Sequence, residues 1–212
     1  ILGCTNPSAS NFDPDANTTV AFGGALDNSF SSGGYFNGNQ HLVFDSYKEC
    51  VIKSAIIDSE SSNTIKFELR DNSGNIIDDT TLLVQNGIQR IDLNFNVPIS
   101  TDLQLGVSNN ALQSVGLYRN NADASYPYNI ASAINITRSS ANTGPYDYYY
   151  FFYDIEVKVL CYDVSTEINH VGNEKRLIKA VDLLGKEVPT TNNQIFFLIY
   201  DNGLVEKRII FE

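Results

Sequence analysis

The alternation from Thr64 to Arg70 constrains this chain more than any other stretch. Ile65, Phe67 and Leu69 take one side of an extended segment, and Lys66, Glu68 and Arg70 take the other. A period of two sends successive side chains to opposite faces, so the segment predicts a strand with one buried and one wet face. Asp71-Asn72-Ser73-Gly74-Asn75 supplies a hairpin connection, and Ile76 to Val84 returns. Asn86-Gly87 turns again. Ile88 to Phe95 alternates, with Ile91, Leu93 and Phe95 inward and Arg90, Asp92 and Asn94 outward. Pro98 ends that strand because it has no ladder donor. Val51 to Ile57, Leu103 to Val107, Val115 to Tyr118 and Ala133 to Thr137 are shorter runs, and Tyr146 to Leu160 is the longest. No stretch carries helical periodicity. About eight strands joined by polar turns predict an all-β body of two packed antiparallel sheets.

Lys and Arg number 14 against 25 Asp and Glu, a net charge of −11. Phosphate recognition relies on clustered Lys and Arg, so this balance argues against nucleic acid and anionic membrane surfaces as partners. Only 18% of residues are charged, and Asn, Ser, Thr and Gly carry the polarity, as in a secreted β-rich protein. No apolar run approaches the roughly 20 residues of a membrane-spanning helix. The chain lacks Met and a signal peptide, and is expected to be a piece of a longer precursor. The three cysteines, Cys4, Cys50 and Cys161, allow one internal pair. Cys50 and Cys161 flank the middle region on strand-like runs. A bridge between them would tie the first strand of a sandwich to its last; the alternative is three free thiols.

Catalytic signatures are missing: there is no G-x-S-x-G, P-loop, G-x-G-x-x-G or H-E-x-x-H. His41 and His170 lie far apart and have no His or Cys at a metal-ligand spacing, so both read as surface or turn residues. Asp147 and Asp154, beside the tyrosines, read as strand-edge charges rather than as an acid pair. The expectation is therefore a protein that is not an enzyme. The aromatic run Tyr146, Tyr148, Tyr149, Tyr150, Phe151, Phe152 and Tyr153 admits two readings. Alternation would send half of it outward as a flat surface for stacking sugar rings, with Tyr118, Arg119, Asn120, Tyr126 and Tyr128 at the rim. Otherwise both faces are covered. Asn11, Asp13, Asp15 and Asn17 recur at every second position, which suits either a loop of oxygen ligands converging on Ca2+ or a solvated linker whose Asn and Asp cap turns.

The last stretch reads KRLIKAVDLLGKEV, a polar break, then IFFLIYDNGLVEKRIIFE. It predicts two short strands bent at LLGKE, then a hairpin turning at Asp201-Asn202-Gly203. KAVDLLGKEV (Lys179 to Val188) and the terminal hairpin resemble the C-terminal sorting domain of cargo exported by the type IX secretion system of Bacteroidetes. The likeness implies a small β-sandwich sorting domain recognised by the outer-membrane translocon and its cargo carrier. It also implies a secreted or cell-surface location and a recognition face of Lys179, Asp182, Gly185, Lys186, Glu187, Gly203, Glu206 and Lys207. Gly3-Cys4-Thr5-Asn6-Pro7 and Ala9 to Ala16 resemble a linker repeat of secreted Bacteroidetes proteins, itself like the calcium-binding thrombospondin type 3 repeat; Ser10 replaces the repeat's second cysteine. Tyr35-Phe36-Asn37, His41 to Ile57, Ile65 to Asn75, Leu117 to Asn120, Tyr126 to Tyr128 and Asp147 to Val157 resemble jelly-roll or Ig-like modules of such cargo. That likeness implies adhesion or glycan recognition. Asp79-Thr80-Thr81 resembles the short O-glycan acceptor pattern of that group. The expected organisation is a linker at 1–19, a jelly-roll or Ig-like β-sandwich at 20–162, a linker at 163–174 and the sorting domain at 175–212. The expected role is an adhesin-like, non-catalytic part of an exported protein, with a carbohydrate-binding accessory module of a polysaccharide-degrading enzyme as the alternative.

Overall fold

The structure is a computed structural model, and it describes residues 1–108, 116–162, 177–188, 195–201 and 203–209. The chain divides into two compact units, Ile1–Val164 and Ser165–Glu212. The linker expected at 163–174, and His170 with it, lies outside the described residues. Every regular element among the described residues is a strand.

The first unit holds β1 (Val20–Gly23), β2 (Gly33–Phe36), β3 (His41–Ser46), β4 (Cys50–Ser59), β5 (Asn63–Arg70), β6 (Ile76–Val84), β7 (Gly87–Val97), β8 (Ser100–Val107), β9 (Leu117–Asn120), β10 (Tyr128–Ile130), β11 (Ile134–Ser139), β12 (Tyr149–Tyr150) and β13 (Tyr153–Lys158). The ladders β1 with β13, β4 with β7, β3 with β8, and β5 with β6 are all antiparallel. They combine as β1-β13-β4-β7 in one sheet and β3-β8-β5-β6 in the other. The chain changes sheet from β3 to β4, β4 to β5, β6 to β7 and β7 to β8. This is the strand order of a jelly roll rather than of an Ig domain, whose sheets follow another order. Strands β9 to β12 are inserted between β8 and β13. With them β10 and β11 extend the second sheet past β3, while β9, β12 and β2 extend the first.

The core forms where the period-two patterns of the two sheets face each other. Ile65, Phe67 and Leu69 of β5, Leu103, Leu105 and Val107 of β8, Ile52 and Ile57 of β4 and Leu93 and Phe95 of β7 are all buried in one cluster. Removing such a side chain from water contributes about 1.5–3 kcal/mol, so the two hydrophobic faces hold the sandwich together.

Three expectations change. The run from Tyr146 to Leu160 is not one strand. Phe151 adopts φ +69, a left-handed backbone, and leaves the ladder between β12 and β13. Residues 1–19 are not a free linker. Leu2 is fully buried, Ser10 N donates to Tyr162 O at 2.9 Å, and Asn11 Nδ2 donates to Leu160 O at 2.7 Å. The disulfide is Cys4–Cys161, not Cys50–Cys161. Pairing of β1 with the end of β13 lays the leading segment beside Cys161, whereas Cys50 turns into the core as a buried free thiol. Burial pushes that thiol up to about 11, partly opposed by Ser46, so it is protonated and unreactive at neutral pH.

The second unit contains β14 (Leu177–Val181), β15 (Ile195–Tyr200) and β16 (Val205–Ile209). Its described strands form one antiparallel sheet in the order β14-β15-β16. Asp182 builds the bend at LLGKE: its Oδ1 accepts from Leu184 N and Lys186 N, both at 2.9 Å. Gly185 supplies φ +83 there, which a side chain would oppose. A bridge from Val181 to Glu187 returns the chain as a second short extended piece.

Candidate functional site

The aromatic run is core from Tyr149 to Tyr153, with Tyr148 half-buried and Tyr146 exposed. Because the chain breaks at Phe151, side chains do not alternate, and Tyr149, Tyr150, Phe151, Phe152 and Tyr153 are all buried. Tyr149 has no exposed surface; its hydroxyl accepts from Ala25 N at 3.1 Å and its ring stacks on Tyr126. Tyr126 donates to Tyr148 O at 2.8 Å, and Tyr128 packs edge-on against both Tyr126 and Tyr149. Burial is the largest cause raising the Tyr126, Tyr149 and Tyr153 phenols well above their ordinary range. Arg119 lies over the rings of Phe36 at 4.3 Å and Tyr148 at 4.7 Å, and Tyr118 meets Tyr35 edge-on. Tyr118, Arg119, Tyr126 and Tyr128 are half-buried, and Asn120 is fully buried, bonded to Tyr153 and to backbone. A sugar could not stack on Tyr149 without unfolding its surroundings.

The residues read for Ca2+ are engaged elsewhere. Both ends of the Asn11 amide bond the chain near Tyr162, Asp13 faces Lys48 at 3.5 Å, and Asn17 accepts from Ile1 N. Only Asp15 is without such a partner, so the four as folded do not fit one cation. Among the described residues, no group of three or more His, Cys, Asp or Glu is placed to hold a metal. In the second unit Lys179, Gly185, Lys186, Glu187, Gly203 and Lys207 are exposed, Asp182 is half-buried in its turn, and Glu206 accepts from Tyr200 and Arg208. Asp147 is exposed, and Asp154 pairs with Arg90.

The candidate site lies on the outer face of the six-stranded sheet. Two adjoining hollows of about 500 and 460 Å³ share His41 and Gln104. Strand register explains the arrangement. Gly106 of β8 stands between Glu68 of β5 and His41 of β3 in one cross-strand row. The next row holds Arg70, Gln104, Val43 and Arg138. Gly106 leaves the gap between them, and a Cβ there would meet His41 Cβ at 2.8 Å.

Two ion pairs flank the gap. Arg70 gives Nε and Nη2 to Glu68 Oε2 at 2.7 and 2.5 Å, and Nη2 also bonds Val107 O. Arg138 Nη1 meets Asp102 Oδ1 at 2.8 Å. Glu68 and Arg70 are almost wholly buried although they lie on the face that alternation marks as wet. His41 Nδ1 is the single buried side-chain polar atom without a partner among the described residues. Burial first, then Arg70 and, least, Arg138 hold His41 down at about 4, against an upward push from the Asn39 backbone that exceeds the effect of Arg138, so it is neutral at physiological pH. The Ser140 hydroxyl is held between His41 N and Gln40 Oε1, and the Ser139 hydroxyl by Pro145 O. The Ser139 and Ser140 hydroxyls are thus both engaged by the frame of the groove. The groove offers fixed planar donors and acceptors in an open channel, which is the chemistry of recognition. Alternation puts Glu68 and Arg70 on one face of β5, and the register brings His41 and Gln104 beside them.

No family model, no curated protein and no solved structure matches this chain.

Proposed function

We propose that the first unit is a non-catalytic recognition module that binds glycans along this groove. The second unit would then be the address read by an outer-membrane type IX translocon and its cargo carrier, on a secreted or cell-surface protein of adhesin-like character. The groove carries the first half of this reading. It is open, polar and rimmed by planar amide, guanidinium and carboxylate groups, which suit the paired hydroxyls of a sugar. The exposed residues around the Gly185 and Gly203 turns support the second half, because a carrier needs a fixed accessible face.

A glycan array probed with the whole chain tests the recognition module. Binding lost in Gln104→Ala is the expected result, and an array without any binder ends the glycan reading. A reporter joined to 163–212 tests the address: export by a type IX-competent cell is expected, and retention in the periplasm would refute it.

A further inference from the structure

We infer that the groove selects acidic glycans, engaging a carboxylate or sulfate through Arg138, Arg70 and Gln104. The inference rests on the glycan reading and narrows its ligand class.

The hydrogen-bond inventory of the groove is lopsided. Its carboxylates are largely used: Glu68 turns Oε2 to Arg70 and Oε1 toward Lys66, and Asp102 Oδ1 holds Arg138, which leaves His41 Nδ1 as the buried side-chain nitrogen without a partner among the described residues. Its donors are not. Arg70 commits Nε and Nη2, which leaves Nη1 beside the Gly106 gap, 3.4 Å from where a Cβ would stand. Arg138 commits Nη1 alone, and its side chain is 39% exposed. Gln104, central in the shared wall of both hollows, makes no side-chain bond among the described residues. A ligand seated here meets spare donors and must supply acceptors. A carboxylate or sulfate supplies acceptors only, and matches a guanidinium in paired geometry.

The local field has the same sign. At His41 both arginines act to disfavour a proton, and no carboxylate is among the groups that offset them. The protein is strongly anionic as a whole, whereas the lining of the hollows balances Arg70 and Arg138 against Glu68 and Asp102. Apart from His41 no aromatic side chain lines the hollows. Ring stacking therefore supplies little here, and polar contacts must supply the affinity.

The test compares three polymers by affinity electrophoresis and calorimetry on the whole chain: neutral dextran, dextran sulfate and oligogalacturonate. Dextran and dextran sulfate share a backbone and isolate the charge; oligogalacturonate separates carboxylate from sulfate. Binding to at least one anionic polymer and not to dextran is expected, weakening with added salt. Arg138→Gln should weaken it about tenfold, as for one lost charge-assisted contact. Lys53→Gln, on the other sheet, should leave it unchanged. Equal affinity for dextran and dextran sulfate would overturn the inference while leaving glycan recognition standing. Binding to no polymer and to no arrayed glycan would remove both. Anion binding that survives Arg138→Gln and Gln104→Ala but falls in Lys53→Gln would place the contact outside the groove and overturn the inference.

Discussion

Gly106 decides whether the groove exists. Its neighbour across the ladder is His41, and a methyl group at 2.8 Å from His41 Cβ cannot be absorbed by a flexible tip, because the contact is at the base of the side chain. Gly106→Ala should lower stability by about 1–3 kcal/mol in denaturant titrations and abolish ligand binding. His41 gives the molecule an acid-side weakness. Its folded-state value lies near 4 against 6.5 unfolded, so the unfolded chain takes up the proton first. The stability it protects is complete above 6.5 and drains away as pH falls from 6.5 to 4, by something on the order of 2 kcal/mol. Melting temperatures across that interval should fall in the parent and flatten in His41→Phe. Little of this was legible beforehand. Lys66, Glu68 and Arg70 were placed on the outer face correctly, but alternation tells only which face a residue takes, not what lies beside it. The glycine between Glu68 and His41 comes from a strand far away in sequence; Arg70 meets Glu68 two residues along its own strand, but Arg138 meets Asp102 only once the strands are in register.

At the level of elements, β5 to β8 follow the alternation closely, since each presents one face to the core between the sheets, and the β5–β6 hairpin fixes its own register. The aromatic segment does not, because a single left-handed residue, Phe151, lets five consecutive side chains turn inward. Periodicity cannot anticipate such a break, which depends on the inserted strands β9 to β12 for its packing. Phe152→Ala should therefore behave as a core deletion, costing about 3–5 kcal/mol in chemical unfolding. The bridge from Cys4 to Cys161 clips the leading segment to the end of β13 across a separation of 157 positions. Replacing both cysteines by Ala should cost about 2–5 kcal/mol, read as a lower melting temperature that reductant no longer changes. The sequence held the right arithmetic of one pair among three, but the choice of partner follows from β1 lying against β13.

Taken whole, the molecule pairs a two-sheet body with a three-stranded sheet, and the two differ in what they bury. The larger unit encloses Phe67, Phe95 and Leu103 completely; the smaller one buries Phe196 but leaves Leu184 and Ile178 largely in water. Small sheets of this kind are marginal. Amide exchange in β14 to β16 should run orders of magnitude faster than in β4, β5 and β8, measured by mass spectrometry on the intact chain. The all-β class was readable from the turn and strand rhythm. The jelly-roll order was not, because nothing local records which distant strand lies beside which. That order has a consequence for how the body is born. Strand β1 has one ladder partner, β13, which is the last strand of the body to be synthesised. A growing chain carries that edge unclosed until β13 emerges, so helpers that shield bare sheet edges should raise the yield of folded body.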